Sequence, residues 1–322
     1  MPGKVLGVTA MGGPGPAVVA RIQEYEGMGF PAVWLTTPPT GLDALTIFAA
    51  AALRTERILL GTSIVPFLPR HPVVMAQQAL TLAQLAPGRL RLGIGPSHPP
   101  RMQKELGLPF EAPLARLREY ISILKALLRD GKADLDGRFY RVHAALPGNA
   151  PDVPVMASAL RRASFEACGQ VADGAITWLC PAPYLHQVAL PALQQGAKKA
   201  GRPTPPLIVH APVCVHPNAE EVERAVGEQM GGYLRLPFYV QMLTEAGFPQ
   251  AQEGTWSREM VDAVVLHGPE KVVAQRLEQV FAMGADEVLA HPLPVGPDQE
   301  ASLHGTLHVL ADMARTFSAP SG

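Results

Sequence analysis

The sequence predicts a (β/α)8 barrel, a TIM barrel carrying a helical insertion between its seventh and eighth strands. Three observations predict it. Eight short runs rich in apolar and β-branched residues recur along the 322 residues, with longer helical patterns between them. Gly and Pro, 30 and 33 residues, punctuate those runs at intervals and do not pool in one linker. Apolar residues make up 48% of the chain and charged residues 17%, enough to bury a large core. A doubly wound sheet would normally use fewer strands. The chain reads as one domain, 1–322, with the insertion at about 216–268 and no internal repeat.

The elements follow in order. Residues 5–9 form strand one, and a helix over 16–28 starts at a proline and stops at Gly27 and Gly29. Residues 32–35 form strand two, and Asp43 caps a helix running through Leu53. Strand three covers 58–65 and contains Gly61; a helix over 73–85 ends at Pro87-Gly88, and strand four covers 90–94. A Pro-rich connection, 96–113, leads to an amphipathic helix over 114–128, and Asp136-Gly137 marks a hairpin turn. Strand five (155–157), a helix (161–171), strand six (174–176), a helix (184–200) and strand seven (207–215) continue the alternation. Residues 216–268 interrupt it with a helical stretch broken by Pro237, Gly247 and Gly254, and a helix over 269–283 and strand eight (287–291) restore it.

Composition excludes several function classes. With 27 Lys+Arg against 28 Asp+Glu, no overall field draws the chain to nucleic acid or an acidic membrane surface. The longest apolar run, 44–53, is too short to span a bilayer, and the first ten residues enter a strand pattern with no signal-peptide core, so a cytoplasmic protein is expected. Cys168, Cys180 and Cys214 have neither disulfide nor metal spacing and read as buried thiols. The histidines show no HxH or HExxH pattern, so no metal site is expected. Gly93-Ile94-Gly95 lacks the third glycine of a dinucleotide fingerprint, and neither a P-loop nor a GxSxG elbow occurs.

Barrel chemistry sits where strands end, which selects the candidate residues. Strand ends place Thr36, Ser63, Ile64, Val65, Gly95, Ser97, Ser158, Ala159 and Trp178 at the mouth, small, polar or aromatic and mostly uncharged. Such a rim suits a flat, largely apolar ligand better than a metal or a sugar. His71 and His98, after strands three and four, are the candidates for proton transfer; His71 has helix capping as its competing role. His291 is expected to pack the rim, and Trp34 and Trp178 to wall a ring or fill core.

The stretch from Arg54 through Pro69-Arg70-His71-Pro72 to Gly93-Ile94-Gly95, with Leu106–Phe110, Arg118-Glu119-Tyr120, Ala172-Asp173-Gly174 and the closing His267-Gly268-Pro269, resembles the bacterial luciferase-like flavin and deazaflavin oxidoreductases. The Pro-Arg-His-Pro turn and the Gly-Ile-Gly-Pro-Ser-His strand ending most resemble the branch using coenzyme F420, a deazaflavin. The resemblance implies a homodimer, a ring bound at the strand ends as a hydride carrier, and a non-prolyl cis peptide at Ser63–Ile64 behind it. It also implies phosphate held by the amides of Ser158, Ala159 and Leu160, where relatives frequently have glycine and this chain has Leu160; Arg161 and Arg162 would add charge. Some sugar-phosphate dehydrogenases of this branch carry an acidic residue and a catalytic histidine after strand two, whereas this chain has Thr36-Thr37-Pro38-Pro39. The expected function is F420-dependent hydride transfer with a small organic substrate; the alternatives are an FMN-dependent monooxygenase and a non-enzymatic flavin-binding barrel. The helix over 43–53, apolar nearly all round, is expected to bury one face against a second copy.

Overall fold

A computed structural model describes residues 4–10 and 12–318; the first three residues of the N-terminal stretch lie outside them. Eight parallel strand positions close into a barrel: β1 (Val5–Thr9), β2 (Ala32–Leu35), β3 with β4 (Leu59–Thr62, Val65–Pro66), β5 (Leu90–Gly95), β8 (Val155–Ser158), β9 (Ala175–Ile176), β10 (Leu207–Val215) and β12 (Glu287–Pro292). Pairing of β12 with β1, Val5 opposite Glu287, completes the ring. Strand three of the sequence reading is thus two short strands interrupted at residues 63–64, which pair in turn with β5. The hairpin β6 (Lys132–Asp136) and β7 (Arg141–Ala145) stands apart, with Gly137 next to its turn.

Helices α1 (Gly15–Met28), α2 (Ala44–Ala52), α3 (Pro72–Leu85), α4 (Pro113–Asp130) and α5 (Arg162–Val171) wrap the first half. Asp43 caps α2 as its spacing predicts, its side chain accepting from Thr46 N at 2.9 Å. The helix expected over 184–200 is divided: α6 (Ala182–Tyr184) passes through a π turn at Leu185–Ala189 into α7 (Leu190–Lys199), with Pro191 near the start of the last piece. Residues 216–268 hold α8 (Ala219–Met230), a 3-10 turn (Gly231–Arg235), α9 (Pro237–Glu245), a second 3-10 turn (Pro249–Glu253) and α10 (Arg258–Val264), then a three-residue strand, β11 (Leu266–Gly268), beside β10. Helices α11 (Glu270–Ala282) and α12 (Gln299–Ser318) complete the wrap. Among the described residues no helix is long and apolar enough to cross a membrane.

Two apolar cores result. The larger lies between strands and helices; the smaller fills the barrel with Ala32, Trp34, Met156, Ile176, Ile208 and Leu289. Trp34 is therefore core, wholly buried, and does not wall a ligand. Its Nε1 donates to Glu287 Oε1 at 2.9 Å, and Glu287 also pairs with Arg91, whose guanidinium lies 4.7 Å from the indole centroid. Gly61 leaves the indole its space: a Cβ there would lie 2.4 Å from Trp34 Cε3.

Gly61→Ala overpacks this interior and is expected to lower unfolding stability by about 1–3 kcal/mol. Gly27→Ala, in α1 with nothing within 4 Å of the added Cβ, is the control and is expected to hold or gain stability. Urea midpoints of the two variants check this, and equal midpoints would refute the packing argument.

Candidate functional site

A cavity of about 1540 Å3 opens at the C-terminal ends of the strands. Of the residues picked from strand ends, Thr36, Ser63, Ile64, Ser97, His98, Ser158, Ala159, Leu160, Arg161 and Trp178 line it. Three do not. His71 is the N-cap of α3: Pro72 begins the helix, and the exposed imidazole accepts from Val73 N through Nδ1 at 3.3 Å and meets the Tyr140 ring edge-on. This is the capping role, the competing one, and the residue lies outside the cavity lining. Val65 is fully buried in β4 within the outer core. Gly95 serves by lacking a side chain, since a Cβ would lie 2.3 Å from Ser158 Oγ and 3.0 Å from Ile64 Cγ1.

The segment between β3 and β4 shapes one wall. The Ser63–Ile64 peptide is cis, as the resemblance implied. Its polar groups are held from the end of β2: Ser63 N donates to Leu35 O at 2.8 Å, Thr36 Oγ1 donates to Ser63 O at 2.7 Å, and Thr37 N donates to Ile64 O at 3.1 Å. Thr36 thus anchors the wall as well as lining the cavity.

Sequence reasoning named Trp178, His98 and His291 in the opposite wall and missed Tyr233 and Tyr239. Trp178 packs on His210 with centroids 4.2 Å apart and meets His291 edge-on at 5.4 Å. Tyr233 and Tyr239, from the 216–268 segment, stand 4.9 Å apart, and His98 lies edge-on to both at 5.9 and 5.8 Å. His291 does more than pack the rim, because Nδ1 hydrogen-bonds Thr9 Oγ1 at 3.0 Å while its ring lines the cavity. Left-handed non-glycine residues adjoin two of these rings: Ser97 (φ 60°) precedes His98 and Leu179 (φ 55°) follows Trp178.

Burial makes the three imidazoles neutral. His98 is pushed down to about 4 by burial and then by Arg101, His291 to about 4 by burial, and His210 well below the usual range by burial and then by His291. Cavity-lining residues carry buried polar atoms without a hydrogen-bond partner, among them Ser63 Oγ, Thr177 Oγ1, Trp178 Nε1 and His210 Nε2. Native interiors rarely leave such atoms unsatisfied, and a bound polar ring edge or oxygen would satisfy them.

Of the amides expected to grip phosphate, those of Ala159 and Leu160 are engaged within the chain. Ala159 N donates to Ile176 O at 2.8 Å, and Ser164 Oγ accepts from Leu160 N at 3.1 Å and Arg161 N at 3.0 Å. Arg162 and Ala163, at the start of α5, lack intrahelical acceptors and also line the cavity. Arg161 reaches across to Glu245 at 3.3 Å. Among the described residues no three His, Cys, Asp or Glu side chains group as metal ligands.

Comparisons with known proteins agree with this geometry. A profile of luciferase-like monooxygenases matches residues 6–287. The F420-dependent glucose-6-phosphate dehydrogenase of Beutenbergia cavernae is 39% identical over 176 residues, covering 52% of this chain and 52% of that one. An F420-dependent secondary alcohol dehydrogenase, solved with an F420-acetone adduct, superposes with a TM-score of 0.81 at 17% identity, over 97% of this chain and 98% of its own. The oxygenating constituent of 3,6-diketocamphane monooxygenase from Pseudomonas putida, solved with FMN, gives 0.69 at 18% identity, over 96% and 98%. At those identities the two structures establish the barrel and leave the coenzyme open.

The depressed histidines set an acid limb on stability. Their folded values lie below an unfolded value near 6.5, so between about pH 6.5 and 4 the unfolded chain binds more protons. Stability is therefore expected to fall as pH drops through that window, and each histidine contributes at most about 1.4 kcal/mol per pH unit. Urea midpoints from pH 7.5 to 4.5 check the sign, and His291→Asn is expected to flatten the curve; an unchanged slope would refute the assignment.

Proposed function

The chain belongs to the luciferase-like monooxygenase family, and from that premise we propose that it is an F420-dependent oxidoreductase exchanging a hydride with a small organic substrate. The observation carrying this reading is the cavity's polar design: uncharged, partnerless donors and acceptors among stacked rings at the strand ends. That fits a flat heteroaromatic coenzyme. The 39% identity to an F420-dependent dehydrogenase over half the chain supports the deazaflavin. When bound, the coenzyme would supply the hydride-accepting and hydride-donating ring.

The chain's own residues do the rest. Ile64, held from β2 by way of its carbonyl, backs one face of the site, and the wall of Trp178 and Tyr233 faces the substrate space. Burial among these rings excludes water from the transfer. The ring nitrogens of His98 have no hydrogen-bond partner among the described residues, and as a neutral imidazole it can take or give one proton at the substrate. A coenzyme phosphate would meet the N–H groups of Arg162 and Ala163, with the Ser158 hydroxyl and the Arg161 and Arg162 guanidinia beside it. The proposal includes a homodimer covering α2: Ala44, Leu45, Phe48, Ala51 and Ala52 face the barrel, while flanking Leu42 and Leu53 remain 47% and 71% exposed.

Titration of purified protein with F420 and with FMN, followed by tryptophan fluorescence, tests the coenzyme. F420 is expected to bind at least tenfold tighter, and tighter FMN would turn the assignment to a flavin enzyme. Ser158→Asp, placing a carboxylate near the proposed phosphate, is expected to weaken F420 binding by tenfold or more; unchanged affinity would remove the phosphate from this place. Light scattering at micromolar concentration is expected to give about twice the 34.3 kDa chain mass, and a monomer would sink the dimer.

A further inference from the structure

Helix α12 carries two histidines one turn apart, His304 and His308, a spacing that neither HxH nor HExxH describes. Residues four apart on a helix share a face, and both rings here lie on its exposed side. Another side of the same turn is anchored. Thr306, buried, accepts from Val215 N through Oγ1 at 3.0 Å, and Leu307 and Leu310 are buried beside it. The backbone under the pair is therefore held in place. The ε-nitrogens of the two imidazoles stand 3.0 Å apart, with ring centroids at 4.3 Å. Neither ring has another hydrogen-bond partner among the described residues, so at most one shared proton joins them. A Cβ added at Gly305 would meet nothing within 4 Å, which leaves open space beside the pair.

That separation is close to the one a chelated ion needs. Two metal–nitrogen bonds of about 2.0–2.1 Å set their nitrogens about 2.9 Å apart when they meet at a right angle, and about 3.3 Å apart at the tetrahedral angle. The observed 3.0 Å lies nearer the right angle, the arrangement of square-planar and tetragonal copper(II) and nickel(II). We propose that His304 and His308 bind one divalent transition-metal ion through their ε-nitrogens, as a cis pair of ligands, with copper(II) held most tightly. Water fills the remaining positions, since among the described residues no three His, Cys, Asp or Glu side chains group as ligands. Glu300, exposed and four residues before His304, adds a negative charge one turn away that favours a cation. The large cavity includes neither histidine in its lining, so the site stands whatever coenzyme the cavity holds.

Calorimetric titration of the untagged, metal-free chain with copper(II) and with nickel(II), joined to electron paramagnetic resonance of the copper-loaded protein, tests the site. One copper(II) per chain is expected at the tightest site, bound at least tenfold more tightly than nickel(II). Its spectrum is expected to carry the splitting of two nitrogens. His304→Gln and His308→Gln, both at exposed positions that the fold tolerates, are each expected to weaken copper(II) binding at least tenfold. His186→Gln is the control: it removes an exposed histidine with no second one four residues to either side, where Ala182 and Leu190 stand, and is expected to change copper(II) affinity less than twofold. Unchanged affinity in either site variant would overturn the proposal. A single-nitrogen spectrum, tighter nickel(II), or an equal loss in His186→Gln would overturn it as well.

Discussion

The interior of the barrel depends on one indole. A closed eight-stranded sheet leaves a central space that side chains must fill, and here Trp34 fills its lower part. The filling is mutual. Gly61 on β3 and Gly7 on β1 give the ring room, with Cβ positions that would come within 2.4 and 2.9 Å of it. Glu287 on β12 accepts from its Nε1, and Arg91 on β5 pairs with that carboxylate while lying over the ring. Burial pushes the Glu287 carboxyl up and Arg91 opposes that push, so the pair compensates a charge that would otherwise be costly inside. Four strand positions are thereby tied to one side chain, and Met156, Ile176, Ile208 and Leu289 pack in the same interior cluster.

This packing determines where chemistry is possible. Side chains alternate along each strand, so Ile208 and His210 share a face of β10, and Leu289 and His291 share a face of β12. The inward positions change from hydrocarbon to imidazole within two residues. Burial keeps those imidazoles neutral, and the Thr9 hydroxyl holds one of them. The result is a polar yet uncharged layer resting on an apolar one, a setting in which hydrogen bonds are strong and ions are disfavoured.

Much of this was legible in the sequence because it follows from local rules. Asp43 before an apolar run caps α2, Pro72 begins α3, and β-branched runs bounded by Gly and Pro mark strands. The same rules leave two readings where a local role and a site role compete for one residue. His71 follows a strand, which points to the site, but it also precedes Pro72, and the structure shows it capping α3. Ser164, three residues after Arg161, has the spacing of a reciprocal cap, and its hydroxyl takes the Leu160 amide assigned to phosphate together with that of Arg161. Tyr233 and Tyr239 were not legible at all. They come from a segment whose spacing carries no chemical signature, and only the folded chain brings them beside His98 and Trp178.

The turn after β2 shows how the remaining chemistry was displaced. In sugar-phosphate dehydrogenases of the resembled branch this turn carries an acid and a histidine, whereas here it carries Thr36 and Thr37. Both hydroxyls have structural work. Thr36 Oγ1 donates to the carbonyl of Ser63, and Thr37 Oγ1 accepts from Ala44 N at the start of α2. Neither hydroxyl titrates near neutral pH, so the turn holds the wall of the cavity and supplies no proton carrier. Imidazoles enter the cavity instead from β10, from β12 and from the loop after β5. A chain built this way holds that strand end rigid and carries its buried imidazoles on other strand ends, where burial disfavours an ionised partner.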